Sequence, residues 1–316
     1  MTAAPAPCRT APVAVPLPKI PDALRGLWRA CAAGNTNADD GDVTRSLAIN
    51  FVGVTTAADE GALRGAVERL HLRTPCRAFL LVIDPAATAV TAAVSATTRA
   101  HGSTQDIVLE EIAVRLPESG FERMPGLVRP LLVNDLPNHL YWAAPWPRTE
   151  PHFDDLARLC DHTVVDTRSF RAPERELTHV GARRERGQRI TDLSWLRLRP
   201  WRRALAEAFE RIPWQAGSPA TATIRHGAAA TSSALLLGDW LNARLAARIV
   251  RETDADAGSC PTRVTLRTGH DEVDLANETG HVTAHVTTKE FCHLPYRVPL
   301  SRGRDGDLLA AAIDLG

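Results

Sequence analysis

The fold of the N-terminal half is decided by residues 46–83, which read SLAINFVGVTTAADEGALRGAVERLHLRTPCRAFLLVI. Apolar residues alternate with other residues over Ser46–Val54, which predicts a strand. Apolar residues at helical spacing then predict a helix over Ala57–Leu72. Cys76–Ile83 is apolar apart from Arg77, as expected of a strand that is buried on both faces. This succession of strand, helix and strand predicts an α/β domain.

Similar elements follow along the rest of the chain. In the N-terminal half we expect strands over Val90–Thr98, Ile107–Leu116, Leu140–Ala143 and Thr163–Val165, and a short helix over Phe153–Cys160. In the C-terminal half we expect helices over Trp201–Ile212, Ser232–Val250 and Asp307–Leu315, and strands over Ala220–Arg225, Arg263–Arg267, Glu272–Leu275 and His281–Thr287. Because helices separate some strands and hairpins join others, the sheets are expected to be mixed.

The length of 316 residues suits two domains of about 150 residues each. With 44% hydrophobic and 23% charged residues, each domain can bury a core. The expected fold class is therefore α/β (mixed α+β), with two domains that are each a mixed sheet with packed helices. The expected divisions are a Pro/Ala-rich tail and short helix over 1–43, an α/β domain over 44–170, a charged linker over 171–189 and a second α/β domain over 190–316.

The charge balance argues against two classes of partner. Lys+Arg and Asp+Glu both number 37, so the formal net charge is zero and no overall field draws the chain to nucleic acid or to an anionic membrane. The six cysteines are widely spaced without a C-x-x-C pair, which is typical of reduced thiols. The sequence has neither a signal-peptide pattern nor an apolar run of about 18 residues. We therefore expect a cytoplasmic protein.

Local catalytic signatures are absent from the sequence. It contains no G-x-S-x-G, G-x-x-x-x-G-K-[ST] or H-E-x-x-H pattern. The glycines after the first predicted strand, Gly53, Gly61 and Gly65, do not have the G-x-G-x-x-G spacing of a dinucleotide-binding turn. We expect no catalytic site and no cofactor.

Four other groups of residues have the composition of a metal site or a reactive-thiol site. The Asn35–Ser46 loop fails as a calcium site, because Asp40 occupies the position that requires glycine. His281 and His285 are expected on a strand, where residues four apart are about 13 Å distant and do not make a zinc site. Cys160 with His162 is expected to be structural rather than a thiolate–imidazole pair. For Cys260 and Cys292, free packed thiols are the default and a redox switch is the alternative.

Two aromatic segments suggest a surface that binds another protein. Residues 130–147 combine prolines with three aromatic residues, and residues 195–203 combine tryptophans with arginines; such residues are enriched at interfaces. The alternative is that the first segment is a strand ending in a proline-stiffened loop and the second an ordinary amphipathic segment. The candidate partner-binding residues are Tyr141, Trp142, Trp146, Trp195, Arg197, Arg199, Trp201 and Arg202.

Five segments together resemble one protein family. Pro130–Trp142 is similar to the P-L-L-x-x-D-L-P-x-x-L-W-W segment of the OpcA family, the glucose-6-phosphate dehydrogenase assembly proteins. Phe153–Arg168 resembles the family's helix and V-V-D-S/T strand end, and Thr191–Arg202 resembles its D-L-x-W-x-R-L-x-P-W-R segment. Thr44–Val52 and Cys292–Leu300 resemble its first strand and a C-terminal strand that contains Leu-Pro.

The resemblance implies a non-enzymatic protein that promotes assembly and activation of glucose-6-phosphate dehydrogenase, the NADP-dependent entry enzyme of the oxidative pentose phosphate pathway. It supplies no catalytic motif, and it assigns the redox control of cyanobacterial members to no particular cysteine here. Two alternatives stay open. One is an enzyme of sugar-phosphate metabolism that uses Asp135, His139 and the cluster Arg197–Arg203. The other is a nucleic-acid-binding protein that uses Arg183–Arg189, which the zero net charge disfavours.

Overall fold

The computed structural model describes residues 8–33, 43–101, 104–147, 150–212, 219–255, 258–300 and 305–315. Within them the chain forms two units. Unit 1 holds the described residues of Met1–Val165, Arg186–Thr191 and Arg304–Gly316, and unit 2 holds those of Asp166–Glu185 and Asp192–Gly303. Each unit contains one mixed sheet with helices, which confirms the predicted fold class. The loop considered for calcium lies largely outside the described residues, as do the first seven residues of the predicted tail.

The elements are numbered in chain order. The strands are β1 Cys8–Arg9, β2 Val13–Val15, β3 Val43–Arg45, β4 Ile49–Thr56, β5 Cys76–Ile83, β6 Thr91–His101, β7 Thr104–Leu116, β8 Asn138–Trp142, β9 His162–Val165, β10 Ile190–Asp192, β11 Ala220–His226, β12 Arg248–Thr253, β13 Pro261–Thr268, β14 Asp271–Glu278, β15 His281–Thr287 and β16 Tyr296–Pro299. The α-helices are α1 Ile20–Ala33, α2 Glu60–Arg73, α3 Met124–Val128, α4 Glu150–Ala157, α5 Pro173–Glu185, α6 Leu193–Arg197, α7 Arg199–Phe209, α8 Thr231–Leu245 and α9 Asp305–Asp314.

The sheet of unit 1 has the order β1-β6-β7-β5-β4-β8-β9-β10, with β2 paired to β6 and β3 to β7. Strands β7, β5, β4, β8 and β9 are parallel to their neighbours in this series, whereas β6 runs antiparallel to β7. Counted along the chain without the edge strand β6, the series β7 to β10 has the spatial order 3-2-1-4-5-6. This is the strand order of doubly wound dinucleotide-binding domains, whose ligand crevice lies where the order reverses. In unit 1 that point lies between β4 and β8.

The core of unit 1 follows from the segment that decides the fold. All eight residues of β4 except the last are buried, and β5 has the same pattern. α2 lies against these strands through Leu63, Val67 and Leu70, each at most 2% exposed. Gly53 permits this packing, because a Cβ there would lie only 2.8 Å from Leu63 Cδ1. The apolar face of α2 and the continuous apolar strands therefore form one layered core.

Two terminal segments are placed differently from the prediction. β1 and β2, within the predicted tail, pair antiparallel with β6 and extend the sheet. α9, expected in the C-terminal domain, packs against α2 in unit 1. The contact is close, because a Cβ on Gly306 would lie 2.7 Å from Arg69 Cβ. Both placements depend on partners distant in sequence, which local patterns do not reveal.

Unit 2 is built on a six-stranded sheet of order β12-β11-β13-β14-β15-β16. β11 and β12 are parallel, and the remaining neighbours are antiparallel. α7 and α8 cover one face and form the core with it, centred on Trp201, Leu237 and Val264. This face uses the alternate residues of the strands, as the burial of β11 and β13 shows.

Two predicted boundaries in unit 2 are corrected. The segment expected as a linker over 171–189 contains α5, whose Val180 and Arg183 are buried. The long helix expected over Ser232–Val250 ends instead at Leu245, because Ala246 adopts a left-handed conformation with φ 49° and the chain then enters β12. The end of α8 lacks the glycine that usually marks a helix stop, whereas α5 is followed by Gly187 with φ 86°.

Candidate functional site

The crevice at the reversal point of unit 1 lacks the parts of a dinucleotide site. β4 ends at Thr56 and is followed by Ala57-Ala-Asp-Glu60, so no glycine-rich turn leads into α2. Asp59 and Glu60 place two carboxylates at the positive end of the helix, where a phosphate would otherwise bind. Like charge therefore opposes a pyrophosphate at this position.

Ion pairs of the chain itself occupy the neighbouring strand ends. Arg115, near the end of β7, lies 2.7 Å from Asp84 Oδ2 directly after β5 and also binds Glu60. Arg64 links Glu60, at 2.9 Å, to Glu111. The hydrogen bond from Arg115 lowers the pKa of Asp84. In the usual domain an acidic residue in this region binds the ribose, whereas here the carboxylate is engaged by Arg115.

A buried ionic cluster in unit 2 joins two of the segments that resemble the family. Asp166, from the V-V-D-T strand end, accepts hydrogen bonds at 2.9 and 2.8 Å from the guanidinium of Arg197, in the D-L-S-W-L-R segment. Arg168 also donates to Asp166, at 2.6 Å. Burial alone would raise the pKa of Asp166, but Arg197 and Arg168 outweigh it and lower the pKa to about 2. Asp166 is therefore a buried charged carboxylate.

A second carboxylate connects the same segments. Asp192 accepts hydrogen bonds from Thr167 Oγ1 at 3.0 and 3.1 Å, and its side chain caps α6 by accepting from Ser194 N at 2.8 Å. Ser232 Oγ donates to Thr167 O at 2.7 Å. Burial raises the pKa of Asp192 to about 6. These bonds fix the ends of the two segments to each other and to α8.

The first group of predicted partner-binding residues lies inside unit 1. Tyr141, Trp142 and Trp146 are 4%, 1% and 8% exposed. Trp142 packs edge-on against Phe121 and Phe153, and its Nε1 donates to Pro145 O at 3.2 Å. These aromatic rings are therefore buried in the core, and no face of Trp142 is available to a partner in this structure.

The second group divides between core and surface. Trp201 is fully buried, and Arg197 is 9% exposed and bound to Asp166. Arg202 stacks on the ring of half-buried Trp195, with its Cζ 3.7 Å from the centroid. Arg199 is exposed. Of the eight candidates, Trp195, Arg199 and Arg202 retain accessible side chains.

The residues of the enzyme alternative differ in exposure and in charge state. Asp135 is exposed in the loop before β8, with φ 64°. His139 and His162 are buried on neighbouring strands, with ring centroids 5.6 Å apart. Burial lowers the pKa of both, and that of His162 to about 4 with His139 contributing. Both imidazoles are thus neutral at pH 7, and one ring nitrogen of His162 lies 2.9 Å from Thr191 Oγ1.

Metal and thiol chemistry finds little support in the described residues. Within that part of the chain, no three His, Cys, Asp or Glu side chains lie close enough together to hold a metal ion. His281 and His285 both lie on β15, the strand that was expected there. Cys260 is half-buried, Cys292 is exposed, and both are free thiols. Burial raises the pKa of Cys160 to about 12, so its thiol stays protonated.

A groove opens in unit 1 between α3, α4 and the start of β8. Its volume is about 600 Å³, and it is lined by Pro125, Gly126, Arg129, Leu132, Asn138, Asp155, Arg158 and Leu159. Local sequence patterns mark this groove poorly, because its residues come from three separated segments. The one local signal is that Leu132 and Asn138 belong to the P-L-L-x-x-D-L-P-x-x-L segment.

None of the helices in the described part of the chain is long and apolar enough to cross a membrane. In solved structures, the chain is similar to KijD10, a 3-ketoreductase from Actinomadura kijaniata, with 10% identity, a TM-score of 0.47 and coverage of 85% of this chain and 88% of that one. Levoglucosan dehydrogenase gives 8% identity and a TM-score of 0.49, with 84% and 88% covered. Likeness at this level carries no statement about function.

Curated relatives share a name. The chain is 31% identical over 183 residues to a protein named as OxPP cycle protein OpcA from Nostoc punctiforme, covering 56% of this chain and 39% of the relative. It is 29% identical over 150 residues to the protein of the same name from Synechocystis sp., covering 46% and 31%. The chain thus matches well under half the length of these relatives.

Two family models match consecutive parts of the chain. The model described as the glucose-6-phosphate dehydrogenase subunit N-terminal domain matches residues 67–182. The model described as the C-terminal domain of the same subunit matches residues 188–315. Together they cover well over half of the sequence and include the segments joined by Asp166 and Arg197. The resemblance found in the sequence is thereby confirmed, and the chain belongs to the OpcA family of glucose-6-phosphate dehydrogenase subunits.

Proposed function

We propose that this protein is a non-catalytic assembly factor and allosteric activator of glucose-6-phosphate dehydrogenase, acting in the cytoplasm in the oxidative pentose phosphate pathway. The family match over both units is the observation that carries the proposal. Such a protein acts by binding the active form of its partner more tightly than the inactive form, because equal affinity for both would shift nothing. A difference of about 1–3 kcal/mol changes the active population roughly 5–150-fold.

The crevice at the reversal point of unit 1 supports the non-catalytic part of the proposal. Hydride transfer needs a dinucleotide, and the usual fingerprint relies on glycines and a free helix N-terminus. Here Asp59 and Glu60 lie at that terminus, and Arg115 already binds Asp84. We therefore propose that the fold is kept as a scaffold for protein binding without a cofactor.

The test uses the glucose-6-phosphate dehydrogenase of the same organism. Adding the purified protein at increasing concentration should raise the rate of NADPH formation to a plateau and shift the elution of the dehydrogenase in size-exclusion chromatography. The protein alone should show no NADP-dependent turnover of glucose 6-phosphate. An unchanged rate and elution under both oxidising and reducing conditions would refute the activator, whereas turnover by the protein alone would favour the enzyme alternative.

A further inference from the structure

The groove between α3, α4 and the start of β8 is lined by residues that belong neither to the buried ionic cluster nor to the crevice at the reversal point of unit 1. It lies wholly within unit 1, and its wall is formed by Pro125, Leu132 and Leu159, all half-buried. Gly126 is exposed, and a Cβ at this position would meet nothing within 4 Å. The groove is thus open, with an apolar wall on one side and, at Gly126, a lining position that carries no side chain.

The polar groups of the groove are chiefly hydrogen-bond donors. The carboxylate of Asp155 is engaged by Arg158. Arg129 is exposed, and among the described residues no carboxylate lies within ion-pair distance of it. Asn138 Oδ1 accepts from Asn50 Nδ2 at 2.8 Å, which leaves the Nδ2 group of Asn138 to donate. The groove therefore carries one uncompensated positive charge beside an apolar wall, and its complement is an acidic, acceptor-rich group next to an apolar one.

The openness of the groove favours a segment of another protein over a small molecule as its occupant. Sites for small molecules enclose about 70–90% of the ligand surface. Here Gly126, Arg129 and Arg158 are all exposed, so a small anion would remain largely in water. An extended or helical segment of another protein can place one apolar side chain in such a groove and keep the rest of its contacts at the rim.

We propose that this groove holds an acidic and partly apolar segment of the partner dehydrogenase. The proposal rests on the proposed function and adds the surface and the chemistry of the contact. The same stretch of sequence that holds the buried Tyr141 and Trp142 is accessible here through Leu132 and Asn138. That stretch is held in place by the packing of Trp142 against Phe121 and Phe153, and a rigidly held surface lowers the entropy cost of binding.

Two substitutions test the apolar and the charged half of the proposal separately. Gly126→Leu adds an apolar side chain at a lining position of the groove, where a Cβ meets nothing within 4 Å, and it replaces a poor helix former by a good one, so we expect the fold to be preserved. Arg129→Glu reverses the exposed charge without breaking an ion pair among the described residues. Each should weaken binding of the dehydrogenase at least about tenfold, and the loss with Arg129→Glu should shrink at high salt. Biolayer interferometry with immobilised dehydrogenase measures both effects.

A matched pair on α1 provides the control. Gly26 and Arg29 have the same spacing, are exposed, and do not line the groove; a Cβ on Gly26 also meets nothing within 4 Å. Gly26→Leu and Arg29→Glu should leave the affinity within about twofold of the unsubstituted protein. Thermal melts of all four variants verify that they are folded.

The outcomes separate the inference from the proposed function. If the unsubstituted protein fails to bind the dehydrogenase, the proposed function fails and the inference falls with it. If that protein binds and both groove variants bind equally well, the groove is overturned while the function stands. If only Gly126→Leu weakens binding, the groove is used but its acidic occupant is refuted. Loss with the α1 pair as large as with the groove pair would also overturn the inference.

Discussion

Replacing Arg197 by methionine tests whether its main role is inside unit 2. The substitution keeps an aliphatic stem and removes the guanidinium that donates to both oxygens of Asp166, at 2.9 and 2.8 Å. Asp166 is 4% exposed, so its carboxylate would stay buried with Arg168 as its remaining charged partner among the bonds described above. Breaking a buried pair in this way costs about 3–5 kcal/mol. Because Arg168 remains, we expect the lower end, about 3 kcal/mol.

Urea unfolding at pH 7 measures this loss. With a slope of about 1–3 kcal/mol/M, the midpoint should fall by about 1–3 M at an unchanged slope. The double variant Asp166→Asn/Arg197→Met should recover part of the loss, since a buried amide needs no counter-charge. Arg199→Met is the matched control. Arg199 is exposed, so its replacement should change the free energy of unfolding by no more than about 0.5 kcal/mol.

The acid side of the stability profile adds an independent check. The pKa of Asp166 is lowered to about 2 in the folded protein, below its unfolded value of about 3.9. Its contribution is therefore fully present above pH 3.9 and is lost as the pH falls through about 2, by about 2–3 kcal/mol in all. Arg197→Met should flatten this part of the profile. Equal losses for the Arg197 and Arg199 variants, with parallel acid profiles, would refute the reasoning and return Arg197 to the list of partner contacts.

Four further outcomes are expected. Asp192→Asn should remove a pH dependence: with its pKa raised to about 6, the wild type loses stability as the pH rises from about 3.9 through 6, so the variant should gain relative to wild type in urea melts at pH 8. Parallel curves at pH 4 and 8 would contradict this. His162→Gln should have the opposite pH dependence. The pKa of His162 is lowered to about 4, so the wild type loses stability as the pH falls from about 6.5 through 4, and the variant should lose less. A variant whose melting temperature falls on acidification as steeply as that of the wild type would argue against this. Trp201→Ala should cost about 3–5 kcal/mol in chemical unfolding because the side chain is fully buried, and a stable variant that only loses partner binding would restore the surface interpretation. Ala246→Gly should raise the free energy of unfolding by about 0.5–1 kcal/mol because φ is 49°, and an unchanged or lower value would show that the left-handed cap costs nothing.

The elements that the sequence predicts best are those with a strong local pattern. β5 and β15 have the predicted bounds, since a continuous apolar run and an alternating one both express the burial of the strand itself. α5 was missed because its sequence is polar: only Glu176, Val180 and Arg183 are buried. The end of α8 was missed because Ala246, not glycine, adopts the left-handed conformation. Such features are set by tertiary contacts, which a single sequence does not display.

The candidate site was predicted less well, for a related reason. Aromatic residues are abundant both in cores and at interfaces, so their density alone does not show that Trp142 and Trp201 are core residues. Arg197 finds its carboxylate 31 positions away, beyond any local pattern. The family resemblance nevertheless marked both partners of this pair, because Asp166 and Arg197 each lie in a quoted segment.

The contact between α9 and α2 also sets the timing of folding during synthesis. About 150 residues separate the end of β9 from the end of α9, and a ribosome adds about 5–20 residues per second. The surface of α2 that receives Gly306 therefore waits roughly 8–30 s for its covering helix. During that interval the nascent N-terminal unit exposes a helical face that α9 later covers, so a ribosome stalled before α9 is made would hold an incompletely covered unit open to chaperones.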